Sequence, residues 1–402
     1  MRKYFIAVLL LLLAGCGGGS SGGGNPISTA SVAAPVQNTA PITVDGAFNS
    51  VNRAYTSVTI CAPGTNNCQT IDHVLIDTGS VGLRLLSTPA VQALKLATQS
   101  TTAGNQLGEC YFYVTSYVWG STKLADVKMA GETAGNVAVQ IVADPAMPAV
   151  PDYCSSTGGS AQNTTTAMDA NGILGIGVTP YDCGATCATT QANNRYYTCD
   201  ATTCTSTTVP LVQQVVNPVT QFAQDNNGVI VQLPSIANTG AVNATGQLIF
   251  GIGTQADNAL GSAQVYATNL NGNITTIYKG TSFGDSAIDS GTNRYIFLDN
   301  TLPICAGTVD FCPLMPTALS AVNVGGNGSN GTVNFSVANI NDLFGSGNFA
   351  QNERAGPQSA LGTNSYFSTS FIWGLSFFYG RSVFVAFNGK STPGGTGPYY
   401  AY

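Results

Sequence analysis

Charged side chains are scarce in this sequence: Asp, Glu, Lys and Arg together make up 8% of its 402 residues, against about 25% in an average soluble domain. The formal net charge is −6 and no basic cluster stands out. A nucleic acid is therefore not expected as a partner, because such partners are bound by basic patches. Gly, Ser, Thr and Asn replace the charged residues, which is typical of β-rich proteins outside the cytoplasm.

Histidine is almost absent, since His73 is the only one in the chain. A Ser-His-Asp hydrolase would have to be built around it, and the sequence predicts no nucleophile elbow at a turn from a strand into a helix. His73 lies in an apolar run that is predicted to be a strand. We interpret it as a strand histidine that faces solvent or forms a hydrogen bond.

Residues 1–16 are interpreted as a lipoprotein signal peptide. Arg2 and Lys3 precede an apolar run at 7–13, and the next residues, ending at Cys16, resemble the bacterial lipobox, in which the cysteine carries the lipid. An ordinary signal peptide or a membrane-spanning anchor is the alternative, although the run is short for a membrane span.

Residues 17–40 are predicted to be a flexible tether, because they begin with the stretch GGGSSGGG. Gly17 follows the cysteine where an aspartate often retains lipoproteins at the inner membrane. The protein is therefore expected to be exported and lipid-anchored, at the outer membrane of a Gram-negative bacterium.

Ten cysteines follow Cys16, and an even number in an exported protein predicts disulfide bonds. The spacing suggests Cys61–Cys68, Cys305–Cys312 and a longer Cys110–Cys154 bond. The pairing of the remaining four is left open: Cys183, Cys187, Cys199 and Cys204. A zinc site is the competing interpretation for these four, but the single histidine and their spacing make it the weaker one.

Short alternating runs dominate the chain and predict strands at 57–60, 137–142, 229–233, 247–252, 294–298 and 383–387. Helical spacing is predicted over 87–97 and over 210–226, where Pro218 interrupts it. Residues 155–168 and 183–207 are predicted to be long polar surface loops.

One four-residue motif occurs twice. VLIDTGS, residues 74–80, places Asp77 after an apolar run, and SAIDSGT, residues 286–292, places Asp289 in the same context. A single motif of this kind also occurs in ordinary β-turns. Two copies, half a chain apart and each at the end of an apolar run, indicate a shared site.

Two carboxyl groups held within hydrogen-bonding distance cannot both ionise cheaply, so they share one proton. One carboxylate can then act as a base on a water molecule, while the other carboxyl donates to a substrate carbonyl. The glycines allow close backbone approach, and the adjacent hydroxyls can hold the carboxylates in place.

With these motifs the chain resembles the pepsin-like aspartic peptidases. Further elements occur in the family's order: NGILGIG at 171–177, TGQLIFGIG at 245–253, and a second hydrophobic–hydrophobic–Gly element, IWG, at 372–374. The order and spacing agree over most of residues 50–390. Residues 183–207, which hold four of the cysteines and are called the cysteine-rich insertion below, suggest a divergent branch of bacterial lipoproteins.

The resemblance implies a mainly β, bilobal fold with two β-barrel-like lobes and a central cleft. Residues 41–238 would form the N-terminal lobe, which carries the first aspartate. Residues 239–402 would form the C-terminal lobe, which carries the second.

The resemblance also implies residue roles. Asp77 and Asp289 would be the catalytic dyad. Thr78 and Ser290 would be paired hydroxyls that cross-link the two active loops, and Ser80 and Thr292 would orient the outer carboxylate oxygens. The full supporting set is Thr78, Gly79, Ser80, Ser290, Gly291 and Thr292.

Tyr113 is the candidate for the family's flap tyrosine, and an ordinary strand aromatic is the alternative. Three positions depart from the family pattern. Arg84 stands in place of a tryptophan, near the expected cleft, and Val114 in place of the flap glycine. Leu375 replaces an aspartate found in many acid-acting relatives, which predicts a pH optimum nearer neutrality.

The first function expected is that of an aspartic endopeptidase, with a polypeptide substrate in the cleft. The alternative is a catalytically silent peptide- or protein-binding lipoprotein on the same scaffold, which Arg84 and Val114 would favour. A structural or adhesive surface protein is the third possibility. No metal or organic cofactor is implied, and the protein is expected to be a monomer held at the membrane by its N-terminal lipid.

Overall fold

The computed structural model describes residues 37–101, 103–361 and 368–402. The chain is mainly β, with 43% strand and 13% helix. The predicted signal peptide, Cys16 and the tether up to residue 36 lie outside the described residues. Strand β1 begins at Thr39, so the last two residues of the predicted tether belong to a strand.

In the described residues, the first part of the chain forms eleven strands. Six of them close a barrel in the order β2, β3, β9, β4, β7 and β6, with β6 pairing back onto β2. The strands are β1 (Thr39–Val44), β2 (Ala54–Cys61), β3 (Cys68–Asp77), β4 (Val81–Leu86), β5 (Gln106–Phe112), β6 (Ser116–Met129), β7 (Glu132–Val142), β8 (Ser160–Ala161), β9 (Gly172–Ile176), β10 (Tyr196–Cys199) and β11 (Cys204–Ser206).

The second part forms fourteen strands outside residues 362–367, which the structure does not describe. They are β12 (Gly228–Leu233), β13 (Ala244–Phe250), β14 (Val265–Ala267), β15 (Ile274–Tyr278), β16 (Thr281–Ile288), β17 (Tyr295–Phe297), β18 (Thr317–Val324), β19 (Asn330–Val337), β20 (Ala355–Pro357), β21 (Ile372–Trp373), β22 (Arg381–Ala386), β23 (Ser391–Thr392), β24 (Gly395–Thr396) and β25 (Tyr399–Ala401). Seven of them form a half-barrel in the order β19, β18, β15, β16, β21, β17 and β20. Strands β13, β12, β22, β25 and β14 instead extend the first sheet beyond β1. The predicted lobe boundary at residue 238 falls between β12 and β13, which pair with each other, and it stays a prediction.

Both aspartates lie where one strand of a parallel pair ends. Strand β9 lies between β3, to which it is parallel, and β4, to which it is antiparallel. Strand β21 lies between β16 and β17 with the same two orientations. The two hydrophobic–hydrophobic–Gly elements overlap these central strands. The glycine of each element, Gly175 or Gly374, is crowded by neighbouring backbone. A Cβ on Gly374 would lie 2.0 Å from the carbonyl oxygen of Arg294.

The helices are short: α1 (Pro89–Ala93), α2 (Asp152–Thr157), α3 (Thr165–Met168), α4 (Ala185–Thr189) and α5 (Ile340–Gly345). The helix predicted over 87–97 is confirmed as the shorter α1, which begins after Thr88, whose hydroxyl accepts from the Val91 N–H at 3.3 Å. In the described residues we find no helix with both the length and the apolarity needed to cross a membrane.

The helix predicted over 210–226 is wrong. Only two short 3₁₀ turns form there, Leu211–Gln213 and Pro218–Gln221. Pro218 lacks an N–H and disfavours helical geometry in the residue before it, which keeps the two turns apart. The apolar spacing instead buries Val215 and Val216 from an extended segment.

The two segments predicted to be surface loops are largely at the surface, but their prediction as loops is wrong. Residues 155–168 contain the end of α2, together with β8 and α3. Residues 183–207 contain α4 and the hairpin of β10 and β11, and β10 pairs with β5 at the edge of the large sheet. The cysteine-rich insertion is therefore part of the folded body.

All ten described cysteines form disulfide bonds, which confirms the three predicted pairs and settles the open four. The bonds are Cys61–Cys68, Cys110–Cys154, Cys183–Cys187, Cys199–Cys204 and Cys305–Cys312. The zinc interpretation of the insertion is wrong, because its four sulfurs are used in two local bonds.

Candidate active site

The loops that follow β3 and β16 pack against each other through their glycines. A Cβ on Gly79 would lie 2.6 Å from Cγ of Asp289, and a Cβ on Gly291 would lie 2.6 Å from Oδ1 of Asp77. Each carboxyl group therefore occupies the space that a side chain on the opposite loop would need. The structure brings the two predicted aspartates into one site.

Two hydroxyls cross-link the loops. The backbone N–H of Thr78 donates to Oγ of Ser290 at 3.1 Å, and that of Ser290 donates to Oγ1 of Thr78 at 2.9 Å. The Thr78 hydroxyl then donates to the carbonyl of Ile288, and the Ser290 hydroxyl to that of Ile76. All four hydrogen bonds are buried, so the bonds that hold the two loops together are shielded from water.

Each carboxyl group is held in the same way. For Asp77, the Gly79 N–H donates to Oδ1 at 2.8 Å and the Ser80 hydroxyl to Oδ2 at 2.5 Å. For Asp289, the Gly291 N–H donates to Oδ1 at 2.8 Å and the Thr292 hydroxyl to Oδ2 at 2.6 Å. These donors fix both carboxyl planes before any ligand binds.

Burial raises the pKa of Asp77 to about 7, and the negative charge of Asp289 adds to the effect. The hydrogen bonds from Ser80 and Gly79 oppose the rise, because they stabilise the carboxylate. Asp77 therefore keeps its proton up to about neutral pH.

The dyad opens into a cleft of about 590 Å³ that is lined by both halves of the chain. Its apolar lining includes Leu75, Met168, Ile173, Ile296 and Leu361. The space suits a chain that presents apolar side chains beside the two aspartates.

The turn between β5 and β6, residues 113–115, lines the same cleft as the dyad. Tyr113 lies in this turn, and its hydroxyl is buried without a hydrogen-bond partner in the described residues. Burial raises its pKa well above the usual value for tyrosine. Val114 is 45% exposed. The assignment of Tyr113 as a flap residue stays a prediction.

Arg84 does not itself line the cleft, but its guanidinium packs against the ring of Tyr111, which does. The Arg84 side chain is fully buried, and Nη2 binds Oε1 of Glu109 at 2.7 Å and Oδ2 of Asp182 at 3.0 Å. Nη1 donates to the carbonyl of Val81 at 2.5 Å, directly after Ser80. Arg84 thus holds the backbone at the end of the first active loop.

The cysteine-rich insertion completes this buried cluster. Arg195 donates to the Asp182 carbonyl at 2.6 Å, and Tyr196 donates its hydroxyl to Oδ1 of Asp182 at 2.7 Å. Burial raises the pKa of Glu109 well above its usual range, against the opposing effect of Arg84. Two arginines and two acids are here removed from water, and sequence reasoning did not foresee their association.

His73 has the structural role that its sequence context predicts. It lies 28% exposed in β3, and Nε2 is 3.3 Å from Oδ2 of Asp45 while Nδ1 is 3.2 Å from Oδ2 of Asp72. It does not line the cleft of the dyad.

Two other arginines line the cleft and were missed. Arg53 donates from Nη1 to the carbonyl of Gly291 at 2.9 Å and from Nη2 to Asp169 at 3.1 Å. Arg294 follows the second motif closely. Their signal in the sequence was the rarity of cations, since the chain has only 13 Lys and Arg.

Comparisons with known proteins identify the family and the fold. Residues 34–402 match the family described as "Protein of unknown function (DUF3443)". No curated protein matches the chain. Among solved structures, the aspartic proteinase from Irpex lacteus is similar over 90% of this chain and 96% of its own, with a TM-score of 0.50 and 15% identity. At this identity the likeness shows the fold alone, and the fold is the bilobal pepsin-like one.

Proposed function

Because the chain belongs to the DUF3443 family, whose description assigns no function, we propose a function from the site itself: this protein is an aspartic endopeptidase that hydrolyses peptide bonds in the cleft. One observation carries the proposal. Each aspartate packs against the glycine of the other's loop, and each is held by an N–H and a hydroxyl.

This arrangement supports water activation. With one proton on the pair, the ionised carboxylate accepts a proton from a water molecule as its oxygen bonds to the carbonyl carbon of the peptide. The protonated carboxyl donates to the carbonyl oxygen. The carboxyl group that took the proton from water then passes it to the amide nitrogen, which allows the carbon–nitrogen bond to break and yields one carboxyl and one amine product.

The buried position of Arg84 also bears on the choice between functions. Its place in the sequence, near the expected cleft, favoured a binding protein. Since it is enclosed with Glu109 and Asp182, it blocks neither the dyad nor the substrate space. The exposed Val114 is the feature that still suits the catalytically silent alternative.

We further propose that the protein is exported and anchored at the outer membrane by a lipid on Cys16, as a monomer in a divergent branch of bacterial lipoproteins. Five disulfide bonds support an oxidising compartment. Metabolic labelling with a radioactive fatty acid tests the anchor: label should enter the wild type and not Cys16→Ser.

The proposed activity is tested with the oxidised full chain in detergent and an unfolded protein substrate from pH 3 to 8, with and without pepstatin. Cleavage should be lost in Asp77→Asn and in Asp289→Asn, and retained in Asp152→Asn, which replaces an exposed aspartate. If the folded wild type cleaves nothing across this range, the endopeptidase proposal fails and the binding protein takes its place.

A further inference from the structure

Three arginines gather on the side of the cleft that carries the second active loop. Arg53 contacts the carbonyl of Gly291, and Arg294 lines the cleft beside it. Arg354 lies behind Arg294, and the two share the carboxylate of Asp310. These are three of only 13 cations in a chain with a net charge of −6.

The sharing of Asp310 leaves a positive charge unmatched. Nη1 of Arg294 lies 2.7 Å from Oδ1 of Asp310, and Nε and Nη2 of Arg354 lie 3.1 and 3.3 Å from Oδ1 and Oδ2. Asp310 is the one carboxylate within 4.0 Å of either guanidinium in the described residues. Arg53 has its own partner, Asp169.

No Asp or Glu of this sequence outside the described residues could supply the missing charge. All 19 Asp and Glu lie within the described residues, and residues 362–367, which follow the cleft residue Leu361, contain none. The side chains of Arg294 and Arg354 are only 14% and 7% exposed. An excess positive charge with so little exposure to water is costly unless an anion pairs with it.

Arg294 also keeps a donor available. Its Nε donates to Asn293 and its Nη1 to the carbonyl of Val309 as well as to Asp310. Within the part of the chain that the structure describes, Nη2 has no acceptor. Burial and the charge of Arg354 lower the pKa of Arg294 to about 10, so the group stays charged at neutral pH while unfavourably placed.

We propose that Arg294 is a specificity-determining residue that binds a carboxylate of the polypeptide in the cleft, either an Asp or Glu side chain or the C-terminal carboxylate. This rests on the proposed function, because it assumes that the cleft holds a polypeptide. A carboxylate would pair with the free edge of the guanidinium, as planar arginine groups favour. It would bring the cluster of Arg294, Arg354 and Asp310 to charge balance.

The test compares three labelled peptides of one sequence on the oxidised full chain. The first carries Glu at a scanned position and a C-terminal amide, the second carries Gln there with the amide, and the third carries Gln with a free C-terminal carboxylate. Binding is measured by fluorescence anisotropy at pH 8.5, above the pKa of Asp77, where cleavage should be slow. Cleavage of the same peptides is measured at pH 6 as kcat/KM.

We expect the first or the third peptide to bind about tenfold more tightly than the second, which corresponds to about 1.4 kcal/mol. The preferred peptide identifies the source of the carboxylate. Arg294→Gln should remove the preference, while Arg294→Lys should keep part of it because the charge remains. Arg381→Gln is the matched control, since Arg381 lies outside this cleft.

Equal binding of all three peptides to the wild type, or a preference that survives in folded Arg294→Gln, would overturn the proposal. If Arg294→Gln does not fold, the wild type and Arg294→Lys are compared instead. In both proteins the preference for the carboxylate peptide must weaken as the salt concentration rises from about 0.05 to about 0.5 M. The two proposals fail separately. Cleavage without a carboxylate preference removes only the subsite, and a carboxylate preference without cleavage removes only the endopeptidase.

Discussion

The guanidinium carbon of Arg84 lies 3.6 Å from the centre of the Tyr111 ring. Tyr111 in turn lies 5.0 Å, centre to centre, from Tyr113 in the turn that lines the cleft. Arg84 also holds the carbonyl of Val81. One buried cation therefore contacts both the first active loop and the strand that carries the candidate flap.

Replacement of Arg84 by Met is expected to lower the free energy of unfolding by about 3–5 kcal/mol, because it leaves buried acids without their partner. Glu109 would lose its 2.7 Å ion pair with Arg84. In the described residues, Arg195 would be the one cation left near the Asp182 carboxylate, with its Nη1 3.8 Å from Oδ2. Denaturant unfolding measures the change, with Arg381→Met as the control. Arg84→Trp, the residue expected from the family resemblance, should destabilise by a similar amount. A loss below about 1 kcal/mol, typical of exposed pairs, would contradict this account.

The value of kcat/KM for cleavage should fall as the pH rises through neutrality. Asp77 has a pKa of about 7, and the dyad loses its shared proton as the pH rises through that value. The Ser80 hydroxyl stabilises the carboxylate, so Ser80→Ala should move the alkaline limb of kcat/KM to higher pH. Ser155→Ala, on the exposed surface of α2, should leave it in place. A limb that moves to lower pH would show that the sign is wrong.

The same pKa predicts how stability depends on pH. Asp77 titrates higher in the folded chain than in the unfolded one, so its contribution is complete below about pH 4 and is lost as the pH rises through about 7. Asp77→Asn should therefore melt at a higher temperature than the wild type at pH 8, and the gain should shrink towards pH 4. Asp152→Asn is the control. Parallel melting curves at all pH values would argue against a buried, protonated Asp77.

The two active-loop glycines should tolerate no side chain. A Cβ on Gly79 or Gly291 would lie 2.6 Å from atoms of the opposite carboxyl group, so the loops must move apart. Displacement of reacting groups by about 1 Å can cost about 100-fold in rate. We expect losses of at least this size in kcat/KM for Gly79→Ala and Gly291→Ala. Gly284→Ala, where a Cβ would meet no atom within 4 Å, should retain activity, and equal losses in all three variants would remove the argument.

The centre of this site could be predicted from the sequence because the residues that form it are adjacent in each motif. Asp77 and Asp289 each end an apolar strand and are followed by the glycine and hydroxyl that their geometry needs. The central strands β9 and β21 were visible as hydrophobic–hydrophobic–Gly elements for the same reason. The structure brings these predicted residues together.

The surroundings were not predictable, because their contacts join distant residues. Arg84 meets Glu109 and Asp182, which are 25 and 98 residues away, and nothing in its own neighbourhood indicates burial. Arg294 and Arg354 are 60 residues apart in the sequence, and their side chains share Asp310. The helix predicted over 210–226 failed because Pro218 and tertiary burial of valines outweighed an apolar spacing that suits several conformations.

The disulfide bonds should differ in their contribution to the free energy of unfolding, because the length of the closed loop sets the entropy that each bond removes from the unfolded chain. Cys110–Cys154 closes a separation of 44 residues, whereas Cys61–Cys68 closes 7. Chain-entropy arguments give about 4 kcal/mol for the first and about 2.5 kcal/mol for the second. Paired replacement by Ala, followed by denaturant unfolding, measures both.

Cys110 lies in β5 between Glu109 and Tyr111, and its N–H donates to the carbonyl of Arg195 at 2.8 Å. The Cys110–Cys154 bond therefore ties the strand beneath the candidate flap to α2, so its removal should also reduce cleavage under conditions where the variant remains folded. Removal of Cys61–Cys68, at the far end of β3 from Asp77, should lower stability but leave kcat/KM near the wild-type value. If both pairs affect kcat/KM equally, the cleft depends on overall stability and not on the support of β5.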